Sequence, residues 1–405
     1  MIYSFFIRIY FLIVRVVALF NAKAKLLIDG QHETFDILRA KIDPNAAYLW
    51  FHAASLGEFE QGRPLMEAIR KQYPKYKIVV TFYSPSGYEV RKNYAAADIV
   101  CYLPPDTRDN VSRFLDIVQP QKAIFIKYEF WHNYLHALKK RGIETYIISA
   151  IFREDQLFFK WFGVWYRRML SCFNHLFVQD EQSERLLATI GIINVTICGD
   201  TRFDRVVDIQ NQAKQLSILD KFANKFTLIA GSSWPKDEDI FIEYFNRHPE
   251  MKLVIAPHEI HEEHINSIIS KLNRPFLKYS EANETNVSEV DCLIIDCYGL
   301  LSSIYRYGDV AYIGGGFGVS IHNLTEAAVY GIPVVFGPTF AKFREAHELL
   351  ACQGGFTISD LEQFETLMDN WFANPIVLKE NGAAAGNYIH QNKGAAEVIL
   401  QKIRF

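Results

Sequence analysis

The sequence predicts an α/β protein made of two open parallel sheets in tandem, preceded by an apolar helix. Three observations carry that expectation. At 405 residues the chain is too long for one ordinary hydrophobic core. From residue 47 onward, short apolar runs alternate with amphipathic stretches, the pattern of parallel strands covered on both faces by helices. The segment 204–224 interrupts this alternation with Gln, Asn and Lys and carries no strand signal, which divides the chain near its middle.

The first twenty residues, MIYSFFIRIYFLIVRVVALF, form the first element. Arg8 and Arg15 interrupt the apolar run that a cleaved secretory signal needs, and they are costly in a spanning helix. Seven residues apart, they share one helical face with Ser4, while Phe, Ile, Leu and Val fill the rest. Such a helix suits the headgroup boundary of a bilayer, with the arginines reaching toward phosphates and nearby Lys23 and Lys25 favouring the cytoplasmic face. A helix docked on its own protein is the alternative.

The expected strands then follow at 48–53, 77–82, 99–103, 123–128, 145–150, 175–179 and 195–198, with helices such as 58–73, 111–118 and 131–141 between them. After the polar segment they resume at 226–230, 252–256, 292–295, 310–313 and 333–336, with helices at 237–246 and 261–272. The expected organisation is an anchor helix at 1–25, a first domain at 26–204, a linker at 205–224 and a second domain at 225–405, its last helix free to pack back on the first domain. Two such sheets facing each other create a cleft at the carboxyl ends of their strands, where a ligand is expected.

Composition excludes some functions. A net charge of -3 offers no general basic surface to neutralise nucleic-acid phosphates, so no nucleic-acid partner is expected. The six cysteines include no C-x-x-C pair and read as reduced core thiols of a cytoplasmic protein. Three histidines at 258, 261 and 264 do not match H-E-x-x-H and have no companion ligand pattern, so no metal site is expected.

The candidate chemistry clusters at expected strand ends. After strand 48–53, the small-residue loop with Ser55 and Gly57 leads into a helix whose first turn holds Glu58; this is either a catalytic carboxylate or a complement to the helix dipole. Ser84, in a loop of small hydroxyl residues after strand 77–82, either meets an anion or caps a helix. Lys127 and Glu129 follow strand 123–128. In the second half, Ser232 and Ser233 offer hydroxyls to a phosphate, and the glycines 314–316 let a ligand approach the backbone. Asn323 is placed to cap the next helix, and Glu326 to accept a ribose diol.

With these residues laid out, the chain resembles the lipid A Kdo (3-deoxy-D-manno-oct-2-ulosonic acid) transferases. The likeness rests on ordered motifs from the N-terminal segment to about residue 390: HAASLGE at 52–58, FYSPSGYE at 82–89, YLPPD at 102–106, IKYEFWHN at 126–133, GSSWPKDE at 231–238 and GGG…HNLTEAA at 314–328. The resemblance implies a GT-B fold, two Rossmann-like domains facing a cleft, with a membrane-associating N-terminal helix at the cytoplasmic face of the inner membrane. It implies inverting transfer of Kdo from CMP-Kdo to a lipid A precursor in lipopolysaccharide biosynthesis, with no metal or other cofactor.

On this likeness Glu58 matches the general base and Glu129 a second essential acidic position, while Ser232, Gly315, Gly316, Asn323 and Glu326 fall in the segments that hold CMP. Ser233 and His258 are expected at the same donor site, and Ser55, Gly57, Ser84 and Lys127 at the site of the other substrate. One departure stands out: where the family carries A-P-R-H, this chain has Ala256-Pro257-His258-Glu259, and histidine lacks arginine's permanent bidentate charge. An epimerase or hydrolase of the same fold and a non-catalytic membrane adaptor are the competing readings.

Overall fold

The computed structural model describes residues 2–405, Ile2 by its backbone alone. The chain divides into two compact units: residues up to Arg205 together with Gly394–Phe405, and Val206–Lys393.

The first unit holds β1 (Ala47–Ala53), β2 (Tyr76–Phe82), β3 (Ile99–Tyr102), β4 (Pro120–Ile126), β5 (Glu144–Ala150), β6 (His175–Val178) and β7 (Val195–Ile197). They form one parallel sheet in the order β3-β2-β1-β4-β5-β6-β7. Alternation along β1 sends Leu49 and Phe51 into one buried layer and Trp50 into the other. The helix Ala395–Ile403 closes the first of these layers, burying Ile399, Leu400 and Ile403 beside the helix Leu56–Gln72.

The second unit holds β8 (Phe226–Ser233), β9 (Met251–Pro257), β10 (Phe276–Lys278), β11 (Cys292–Ile294), β12 (Val310–Ile313), β13 (Val334–Phe336) and β14 (Gly355–Thr357), parallel and ordered β10-β11-β9-β8-β12-β13-β14. All twelve expected strands occur; β10 and β14, the two edges of this sheet, are additions. The stretch 205–224 contains no strand, and the helices Thr201–Asn211 and Ser217–Phe222 occupy most of it. Its sequence reads as polar because the exposed faces carry the Gln, Asn and Lys residues, while Leu219 and Phe222 are fully buried.

The N-terminal apolar segment is the helix Ile2–Val17, and a second helix, Ala22–Lys41, starts after Asn21, whose side chain accepts the Ala24 N–H at 3.0 Å. The first helix is docked on its own unit. Tyr3 Oη donates to Asp106 at 2.7 Å, Tyr10 Oη lies 2.7 Å from Tyr83 Oη, and Phe11 is buried. It still leaves Phe5, Phe6, Leu12, Ile13 and Val16 more than half exposed. No described helix is long and apolar enough to cross a membrane.

Candidate active site

Both clusters of candidate residues lie where strand order reverses, the position at which open α/β sheets bind ligands. In the first sheet that point is the β1–β4 pair, and in the second the β8–β12 pair.

In the first unit, the loop after β1 carries Ser55 and Gly57 into the helix Leu56–Gln72, whose first turn contains Glu58. Glu58 Oε2 accepts the Ala54 N–H at 2.6 Å, so the carboxylate does serve the helix start; among the described residues this is its one hydrogen bond. Its pKa is raised, first by burial and then by the charge of Glu129, against the opposing pull of the Ala54 N–H, His52 and Lys127. A carboxylate held this way has increased proton affinity, as a general base needs.

Glu129 is fixed on the loop after β4. Its Oε2 accepts the Trp131 indole N–H at 2.6 Å and faces His52 Nε2 at 2.9 Å. His52, on β1, is fully buried, and its Nδ1 lies 2.9 Å from Thr81 Oγ1, which accepts the Trp50 indole N–H at 2.8 Å. His52 Nδ1 also lies 3.1 Å from the Thr81 carbonyl, and the Trp131 indole N–H stands 3.1 Å from Nε2, so both ring nitrogens are engaged. Lys127 stands in the left-handed region at φ 68°. Burial and Arg202 lower its pKa, while Glu58 and Asp200 draw it back up.

Ser84 Oγ caps the helix Pro85–Arg91 by accepting the Ser86 N–H at 3.3 Å, and its own N–H donates to the Ala54 carbonyl at 2.7 Å. The loops after β1, β2 and β4 therefore meet at one place. Ser55 stands at the helix start without using its side chain as a cap.

In the second unit, Ser232 is also left-handed, at φ 52°, in the irregular end of β8. Ser233 turns inward: fully buried, its hydroxyl donates to Glu238 at 2.9 Å, and Glu238 also pairs with His264 Nε2 at 2.9 Å. Asp237 accepts from Trp234 N at 3.0 Å, Gly315 N at 2.9 Å and Tyr312 Oη at 3.0 Å, tying the β8 loop to the glycine loop. Gly315 has φ +93°, and Gly314 and Gly316 press against the backbones of Ser232 and Gly337, where a Cβ does not fit.

His258 is exposed and its ring lies over a pair of hydrogen-bonded rings. It stacks on Trp234 at 4.8 Å and on His322 at 4.4 Å, both at 27°. His322 Nε2 accepts the Trp234 indole N–H at 3.1 Å, and its pKa is lowered by burial and then by His258. Asn323 Oδ1 accepts the Thr325 N–H at 3.1 Å and its Nδ2 donates to Glu326 at 3.0 Å. The rings of the three histidines of 258–264 face different side chains: His258 stacks on Trp234 and His322, His261 Nε2 faces Glu259 at 3.1 Å, and His264 Nε2 faces Glu238.

Sequence reasoning missed His52, Trp131 and Asp237 as site builders. A histidine in the otherwise apolar run Tyr48-Leu49-Trp50-Phe51 was the available signal, since a polar side chain buried in a central strand needs a partner.

Residues 30–205 match the family model described as 3-deoxy-D-manno-octulosonic-acid transferase (kdotransferase). A 3-deoxy-D-manno-octulosonic acid transferase of Chlamydia muridarum is 27% identical over 320 residues, 75% of this chain and 73% of that protein. One of Aquifex aeolicus is 26% identical over 326 residues, 78% and 84% of the two chains. Among solved structures, a UDP-GlcNAc 2-epimerase from Neisseria meningitidis bound to UDP-GlcNAc matches 88% of this chain and 99% of its own at TM-score 0.61 and 16% identity, a likeness of fold alone. Two parallel seven-stranded sheets with such neighbours are a GT-B-type architecture, residues 30–205 match the Kdo-transferase family model, and the chain is similar to Kdo transferases along most of its length.

Proposed function

We propose that this protein is an inverting glycosyltransferase that moves Kdo from CMP-Kdo to a hydroxyl of a lipid A precursor in lipopolysaccharide synthesis, at the cytoplasmic face of the inner membrane. The observation that supports this most is Glu58, a carboxylate of raised proton affinity at the strand-order reversal of the segment that matches the Kdo-transferase family model. The Glu58 carboxylate takes the proton of the acceptor hydroxyl as that oxygen bonds to the anomeric carbon of Kdo. The bond from that carbon to the phosphate oxygen breaks, and CMP leaves with the electron pair. One displacement inverts the anomeric centre and needs no covalent enzyme intermediate.

Glu129 supports the step by keeping Glu58 basic, and it is itself fixed by His52 and Trp131. CMP is assigned to the second unit, with Ser232, the backbone of Gly315 and Gly316, His258, Asn323 and Glu326 as its contacts. Ser233 acts from behind, through Glu238. Ser55, Gly57, Ser84 and Lys127 are assigned to the acceptor. The reading uses no metal. The exposed apolar face of the N-terminal helix, with Arg8 and Arg15, suits attachment to an anionic bilayer surface.

The test is incubation of the purified protein with CMP-Kdo and a lipid A precursor, followed by mass spectrometry of the lipid. A lipid heavier by one Kdo for each CMP released is the expected result. CMP released without lipid gain makes the protein a hydrolase, and no turnover refutes the enzyme reading.

A further inference from the structure

An apolar cavity in the first unit has no part in the chemistry above. It has a volume of about 800 Å³ and is walled chiefly by Tyr3 and Phe6 of the N-terminal helix, Tyr128 and Phe130 of the β4 loop, and Phe158 and Trp165. We propose that this cavity holds one fatty acyl chain of the acceptor glycolipid, making the N-terminal helix a wall of the acceptor site as well as a membrane contact. This rests on the transferase reading and deepens it.

Four observations lead to that occupant. First, the lining is aromatic and aliphatic apart from Asp155 and Gln156, and the volume lies within the range of small-molecule sites, which suits a flexible hydrocarbon. Second, Tyr128 and Phe130 are the chain neighbours of Glu129, so a chain lying there is held by the loop that carries the second carboxylate.

Third, the helix wall is tied to that loop at two points. Tyr3 donates to Asp106, which also accepts the N–H groups of Asn133 and Tyr134 at 3.0 Å, just past the loop. Tyr10 bonds to Tyr83, whose ring packs at 5.1 Å on Trp131, the residue that donates to Glu129. Fourth, exposed apolar residues continue from the cavity: Phe5 is 62% exposed, Trp161 88% and Val164 52%, and the cations Arg8 and Arg168 are exposed on the same two segments. An apolar surface with interspersed cations fits a phosphorylated lipid whose chains remain partly in a bilayer.

The experiment compares, in detergent micelles where membrane attachment no longer limits encounter, transfer from CMP-Kdo to a tetraacylated glucosamine disaccharide and to the same disaccharide stripped of its chains. Leu157→Asp and Phe6→Asp each place a charge in the lining at a position at least 42% exposed, so both variants are expected to fold. Removing contact with even two methylenes changes affinity by about tenfold. Each variant should therefore lower kcat/KM for the acylated acceptor by about tenfold or more, and leave the stripped acceptor unchanged.

Equal use of both acceptors by the parent protein overturns the proposal, as does an equal loss on both in the variants. A second readout needs no turnover: a spin-labelled acyl chain on the acceptor should quench the fluorescence of Trp165, identified by difference from Trp165→Phe. Equal quenching by a spin-labelled phospholipid overturns the assignment to the acceptor. If no acceptor is glycosylated the transferase reading fails instead, and absence of Trp165 quenching then removes the acyl site as well.

Discussion

Ala54 N–H occupies one oxygen of Glu58, which leaves the other oxygen for the base role proposed above. Glu58→Gln keeps an acceptor oxygen for that N–H but cannot take a proton. It should lower kcat by at least about a hundredfold, the usual worth of a general base, with CMP binding by calorimetry unchanged. Because burial and then Glu129 raise the Glu58 pKa, the acidic limb of kcat/KM against pH should lie above the ordinary glutamate value of about 4.3. Activity falls as pH drops through that limb, where the base becomes protonated. Glu129→Gln removes one of the raising charges, so the limb should move to lower pH even as the maximum rate declines. An unmoved limb means that Glu129 does not set the basicity of Glu58. These residue-scale features were only partly legible in the sequence. Glu58, Glu129 and Lys127 stood at visible strand ends, but the Thr81–His52–Glu129–Trp131 chain joins three strands and depends on which face of β1 each side chain takes.

At the scale of elements, the loops after β8 and β12 behave as one piece because Asp237 holds both. It is fully buried, and Asp237→Ala strands two N–H donors and the Tyr312 hydroxyl. The expected cost is about 2–4 kcal/mol in denaturant unfolding, together with a raised KM for CMP-Kdo and little change in acceptor KM. At the two edges of the same sheet, β10 and β14 escaped sequence reading for a physical reason. Each has three residues, and all three of β10 are only partly buried, so neither shows the continuous apolar run of a central strand. The central strands, buried almost throughout, were legible to within a few residues. The stack of Trp234, His258 and His322 was not, since its members are spread over 88 residues and meet only when β8, β9 and β12 lie side by side.

For the whole molecule, the N-terminal helix is the element whose removal tests most. Among the described residues its polar ties to the body are few: the Tyr3 and Tyr10 hydrogen bonds, a weak Ser4–Asn133 contact at 3.5 Å and an exposed Arg8–Asp109 pair, beside the buried Phe11 and the Tyr3 ring packed on His132 and Trp165. Exposed ion pairs of that kind contribute little. Deleting residues 1–20 should leave the far-ultraviolet circular dichroism of the two sheets in place while releasing the protein from anionic vesicles in a sedimentation assay. Continued co-sedimentation would shift the membrane contact to Trp161 and Phe162, both exposed.

The helix Ala395–Ile403 carries a consequence for biosynthesis. Synthesis proceeds from the N-terminus, and domains generally fold as they emerge. When the ribosome has reached Lys393, every residue of the second unit has been made, yet the first unit still lacks Gly394–Phe405. Ile399, Leu400 and Ile403 have not yet covered the face of the helix Leu56–Gln72, the element that begins with Glu58. The half that is translated first is therefore completed last, and the helix that begins with Glu58 waits for its cover on residues made after the whole second unit.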